Sequence, residues 1–193
     1  MENGTRLWTD GSLGQHEPQK GSLGFVLTDE KNEAFCELGE TLYPIFSSFQ
    51  AEIMVLVNGL ETCIEEEANV TGKHLEIYSD SQSLLRCLQC LPTNPKAVQG
   101  SIISILELID KALSIGTEGI KLNWIPGHQG IGMNPRADEL ATLAYESDPN
   151  PSFVHIPSSA LKNYAKRRLE RELAEYLMME VKESALCSNP PRE

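Results

Sequence analysis

The spacing of apolar residues changes period partway along this chain, and that change fixes the class of fold. Residues 5–42 read as three strands joined by short links. Thr5–Thr9 leads into the turn sequence Asp10-Gly11-Ser12, and Gly21–Asp29 and Asn32–Leu42 flank a tight Glu30-Lys31 hairpin. After Pro44 the period becomes helical. Phe49, Ile53, Leu56, Leu60 and Ile64 form one stripe of a helix over 49–68. Lys73–Asp80 alternates as a strand, and Ser81 opens a helix running to Leu91. Beyond Pro92 and Pro95, residues 98–113 form a second amphipathic helix through Ile102, Ile105, Leu106, Ile109 and Leu113. Gly119–Ile125 is the last strand. It feeds a glycine-rich loop with His128 at its crest, and then a helix with Asn134 as N-cap and Pro135 at the first helical position. Consecutive tightly linked strands run antiparallel, whereas strands separated by helices need crossovers. The order β-β-β-α-β-α-α-β-α therefore predicts an α/β fold: a mixed five-stranded sheet, order 3-2-1-4-5, with helices on both faces.

Four carboxylates occupy telling places in that scheme. Asp10 ends the first strand, where an Asp-Gly pair is also ordinary turn chemistry. Glu52 is the single charge between Ser48 and Leu60 and borders the buried stripe. It is either a first-turn cap or a group that needs a partner or cation. Asp80 stands at a strand-to-helix crossover, where α/β sheets place ligands, although a plain N-cap would look the same. Asp138 lies one turn into the last helix and can look back toward the loop. In the expected sheet the carboxyl ends of strands 1 and 4 are neighbours, so Asp10, Glu52, Asp80 and Asp138 converge. Clustered carboxylates take up protons or bind hard cations. Oxygen-only ligands favour magnesium or manganese over zinc, and two such ions about 4 Å apart clamp a phosphodiester for in-line displacement.

Charge bears on what could be bound. Residues 1–148 hold 9 Lys+Arg against 22 Asp+Glu. So acidic a body grips phosphate backbones poorly by itself, and nucleic-acid chemistry would need divalent cations and local contacts. The five cysteines, an odd number without framework spacing, read as reduced thiols, and Cys87-Leu88-Gln89-Cys90 reads as two thiols of one helix. His16, His74 and His155 show no ligand pattern. With no membrane-length apolar run and no signal sequence, the chain reads as soluble and intracellular, cytoplasmic or nuclear.

Trp8-Thr9-Asp10-Gly11-Ser12, Gln50-Ala51-Glu52, Tyr78-Ser79-Asp80-Ser81 and Gly127-His128 through Asn134, Ala137, Asp138, Leu140 and Ala141 together resemble the signature of ribonuclease H. The runs Ser47–Glu52 and Trp124–Ile131 are most similar to ribonuclease H domains of non-LTR retrotransposon reverse transcriptases. The resemblance covers residues 5–146. It implies endonucleolytic hydrolysis of the RNA strand of RNA/DNA hybrids, leaving 3′-hydroxyl and 5′-phosphate ends, with two Mg2+ as cofactors and Mn2+ as a substitute. By the resemblance Asp10 bridges both ions, Asp138 holds the one that activates water, and Glu52 with Asp80 holds the other. His128 would assist proton transfer or product release. Gly11, Ser12, Gln50, Ser81 and Gln82 would meet the 2′-hydroxyls. Two departures stand out: residues 91–100 carry only Lys96 where bacterial members have a basic protrusion, and Pro135 replaces a glutamate.

The expected domains are a catalytic domain over 1–147 and, over 148–193, a linker followed by an amphipathic tail. Asp148-Pro149-Asn150-Pro151 is the linker, and residues 159–181 form a helix with Leu161, Ala165, Leu169, Leu173 and Leu177 on one stripe. Lys162, Lys166, Arg167, Arg168 and Arg171 form either a solvated face or a patch for nucleic-acid backbones. The resemblance implies an RNA/DNA hybrid as partner and a tethered reverse transcriptase domain, and the lack of a membrane-length apolar run predicts no membrane partner. Two further readings stand beside it. One is a non-catalytic module that docks nucleic acid or protein. The other is a transposase or integrase of similar fold, which His128 and Asp138 fit poorly.

Overall fold

The computed structural model describes residues 4–14, 20–90, 100–147 and 151–153, with Lys166, Leu169, Glu170 and Leu173 beyond them. The elements are β1 (Gly4–Leu13), β2 (Gly21–Thr28), β3 (Ala34–Tyr43), α1 (Ser48–Glu65), α2 (Glu67–Val70) and β4 (His74–Ser79). They continue with α3 (Gln82–Cys90), α4 (Gly100–Ser114), β5 (Gly119–Trp124), α5 (Asn134–Ser147) and β6 (Ser152–Phe153). The sheet order is β5-β4-β1-β2-β3-β6. Its first five strands reproduce the expected 3-2-1-4-5 arrangement: β1 pairs antiparallel with β2 and parallel with β4, and β4 pairs parallel with β5. The two-residue β6 is an addition, parallel to β3 through Leu42↔Ser152 and Tyr43↔Phe153.

Three boundaries differ from the sequence reading. Asp10-Gly11-Ser12 is not a turn. β1 runs straight through it to Leu13, held by the pairs Asp10↔Gly24, Gly11↔Leu23 and Ser12↔Ser22. The first helix stops at Glu65, and a separate short turn of helix follows it. Asn134 does not cap α5. The carbonyl of Met133 already accepts from Ala137 N–H at 3.0 Å, so the helix begins a residue earlier and Asn134 lies inside it, buried.

Alternation along the strands sends side chains to two cores. Leu7, Leu23, Phe25, Leu27, Leu75 and Ile77 pack with α1 and α4 on one face. Trp8, Val26 and Ile125 pack with Ala137 of α5 on the other, where the Trp8 and Tyr78 rings stack 4.1 Å apart. Helix α5 lies against bare backbone. A Cβ added at Gly24 would fall 2.7 Å from Ala141 N, and one at Gly39 2.5 Å from Leu140 O. Arg136 of α5 also spans to β3, 2.7 Å from Glu37 Oε2, while its other amino group meets Glu139.

Contacts divide the chain into two compact units, Met1–Val154 and His155–Glu193. In the second, Lys166, Leu169, Glu170 and Leu173 are helical and exposed, and Lys166 Nζ lies 3.9 Å from Glu170 Oε1. The basic residues Lys162, Arg167, Arg168 and Arg171 lie outside the described residues, as do His16, His155, Cys187 and the side chain of Cys90. Cys36, Cys63 and Cys87 are free thiols. Among the described residues no helix is long and apolar enough to cross a membrane.

Candidate active site

The last parallel pair between β1 and β4 is Thr9↔Ser79. Asp10 and Asp80 are therefore the next residues on adjacent strands. Both follow the alternation that puts Trp8 and Tyr78 on the α5 side of the sheet. Gly24, opposite Asp10, lies under the Ala137–Ala141 turn of α5, so Asp138 comes in from the same side. His128 Nδ1 lies 3.3 Å from Asp138 Oδ2. The loop that carries His128 turns through positive φ at His128 (54°), Gly130 (70°) and Gly132 (53°). Asp80 does not cap α3, because the Ser81 carbonyl accepts the first helical bond, from Leu85 N–H at 3.1 Å.

Glu52 comes from the opposite face. Gly11 makes its approach possible: a Cβ there would lie 2.7 Å from both Ala51 C and Glu52 N. The Glu52 carboxylate accepts hydrogen bonds from the Gly11 N–H and the Ser79 hydroxyl. Its Oε2 is buried without any hydrogen-bond partner. Neither of the alternative roles left open for Glu52 and Asp80, capping a helix, is what these carboxylates do; Ser47 caps α1.

The electrostatics follow from the crowding. Burial, then Asp138, then Asp80 push Asp10 up to about 6, with His128 opposing. Burial first, then Asp80 and Asp10, push Glu52 up to about 9. Asp80 is raised as well, chiefly by burial, against the opposing pull of His128. These acids hold protons more tightly folded than unfolded, so the metal-free protein loses stability as pH rises from about 4 through 6 and on toward 9. Urea melts across that range should show the decline, and saturating magnesium should flatten it. A metal-free stability that stays level or climbs would contradict the crowding.

The expected substrate contacts are placed unevenly. Gly11 lies against α1, and Ser12 is exposed at the β1 end. Ser81 and Gln82 open α3 beside Asp80. Gln50 is partly committed, since its Oε1 accepts from Phe46 N–H at 3.1 Å while its own N–H donates to Oγ of the cap residue Ser47. Two residues were missed from sequence. Ser79 braces Glu52, and only its place at a strand end could have hinted at that. Trp124, 49% exposed, donates its indole N–H to the Asp80 carbonyl at 3.1 Å.

Among the described residues no three acidic, histidine or cysteine side chains stand together at metal-ligand spacing. The donor set still fits a hard divalent cation, because it is oxygen-only, net negative, and contains the orphaned Glu52 oxygen.

The RNase H family model matches residues 2–146. Among solved structures, LC11-RNase H1 from compost, in complex with an RNA/DNA hybrid, is 21% identical, with 76% of this chain and 99% of that one covered and a TM-score of 0.59. The RNase H1 of the halophilic archaeon Halobacterium salinarum NRC-1 gives 21% identity, coverage of 74% and 98%, and a TM-score of 0.52. The foamy viral protease-reverse transcriptase in complex with dsDNA gives 21%, coverage of 75% and 95%, and 0.57. At such identities these likenesses speak for the fold.

Proposed function

Since the chain belongs to the RNase H family, we propose that it is an endonuclease that hydrolyses the RNA strand of RNA/DNA hybrids. The observation that carries this is the buried Glu52 carboxylate, half of it unpaired, set against Asp10 and Asp80. Such a group is expensive without a cation.

Asp10, Glu52, Asp80 and Asp138 would hold two magnesium ions, or manganese in their place, and bound ions supply charge neutralisation at the phosphate and acidify water. In the reaction a water gives up a proton as its oxygen bonds to phosphorus, the bond from phosphorus to the 3′-oxygen breaks, and that oxygen takes up a proton. His128 is suited to move protons. Its Nδ1 is turned to Asp138, the ring is exposed, and an imidazole can both take and give a proton. The strand-end backbone at Gly11 and Ser12, the α3 start at Ser81 and Gln82, and the amide nitrogen of Gln50 would meet the sugar edges that separate RNA from DNA.

A role in retroelement reverse transcription completes the proposal. The similarity in fold to a foamy viral protease-reverse transcriptase and the motif likeness to non-LTR domains support it. So does physics, since tethering to a polymerase supplies the local concentration that an acidic body cannot.

The test is cleavage of hybrid, duplex RNA and duplex DNA in magnesium. The hybrid's RNA strand alone should be cut, to 5′-phosphate products, and Asp80→Asn should lower the rate by about a hundredfold or more. A folded wild type that binds hybrid but leaves it intact would sink the nuclease reading in favour of a docking module.

A further inference from the structure

Trp124 ends β5, paired with Ser79 at the end of β4, one residue before Asp80. Leu122 and Ile120 of the same strand pack against the α1 core, and alternation puts Trp124 on that side, with Glu52 rather than with His128. Most large apolar side chains among the described residues are buried or half-buried, yet this ring is 49% exposed. Its one polar atom is satisfied by the Asp80 carbonyl, 3.1 Å away. That bond leaves the ring oriented and its open surface purely aromatic. Single exposed apolar residues need no explanation in general. This one differs because it is pinned to the backbone of a site acid.

The geometry points to Trp124 as a platform on which a nucleotide of the hybrid, next to the scissile phosphate, lays its base or sugar. The inference rests on the hybrid-nuclease reading above. Charge makes such a contact useful, because a chain of net charge −12 gains little from a broad positive field. Stacking on an aromatic face does not depend on releasing counterions, and it is tolerant of base identity.

Steady-state cleavage and indole emission test it together. Trp124→Ala should raise KM about tenfold or more, leave kcat within about twofold, and leave the salt slope of hybrid binding unchanged. Trp124→Phe keeps a ring but gives up the bond to Asp80, and should retain most of the affinity. Only two tryptophans are present, and Trp8 is buried, so hybrid should quench Trp124 emission in the non-cleaving Asp10→Asn protein. It should not do so in the Asp10→Asn/Trp124→Phe protein. An unchanged KM in Trp124→Ala overturns the platform. So does an equal loss of kcat in both variants with KM unmoved, which would make the ring only a brace for Asp80. If wild type fails to cleave, the nuclease reading falls, and quenching by hybrid still decides the platform: no quench overturns it.

Discussion

Asp10→Asn should abolish hybrid cleavage and at the same time make the metal-free protein more stable. The two effects have one origin. Asp10 is only 7% exposed and lies between Asp138 and Asp80, and this pushes its carboxyl up to about 6. At neutral pH its charge is therefore an electrostatic burden on the fold. An amide of the same shape removes that burden, and a gain of about 1–2 kcal/mol is expected, seen as a rise of a few degrees in the metal-free melting temperature. The same change deletes the carboxylate best placed between the other acids. Cleavage should fall by roughly a thousandfold or more, and the stabilisation by magnesium should shrink with it. Loss of cleavage together with loss of metal-free stability would mean that Asp10 is a structural residue, and the site as drawn would be wrong.

Gly11→Val should cost nearly as much activity without touching a single acid. A Cβ at this position would lie 2.7 Å from the backbone of Ala51 and Glu52, which has no rotamer with which to retreat. The first turn of α1 must move outward, and it carries Glu52 away from Asp10, Asp80 and the Ser79 hydroxyl. Overpacking of this kind typically costs about 1–3 kcal/mol of stability. Cleavage should drop by about a hundredfold or more, because displacements near one ångström suffice for that. Circular dichroism and a magnesium titration of the melting temperature would separate the effects. A folded variant whose melting temperature still rises normally with magnesium would show that Glu52 can be moved without consequence, and the close approach of α1 would lose its meaning.

The sheet order was legible because its signals are local and redundant. Short links among three strands and long crossovers after them leave few topologies. The acids carried local marks instead: Asp10 an Asp-Gly pair, Glu52 the single charge between Ser48 and Leu60, Asp80 a strand-to-helix crossover, and Asp138 a place one turn into the last helix. Other features depend on partners distant in the chain. Asp10-Gly11-Ser12 has turn chemistry, yet pairing with Gly24, Leu23 and Ser22 keeps it extended, and no local pattern reveals that pairing. Asn134 has the composition of a cap, but the tight loop through Gly132 brings the Met133 carbonyl into helical register first. Ser152–Phe153 is too short to carry an alternation. Gln50 is the opposite case, for Ser47-x-x-Gln50 is a capping signature in plain sight. The opening of α1 takes one end of its amide.

The bare backbone beneath α5 also limits how this protein can change. Replacing glycine by alanine commonly hardens a protein by shrinking the freedom of its denatured chain. At Gly24 and Gly39 that route is closed, because a single methyl group would lift the whole helix and swing Asp138 off its mark. Thermal adaptation of this chain must therefore be sought elsewhere, and these two positions should resist every side chain in a saturation screen scored by cleavage.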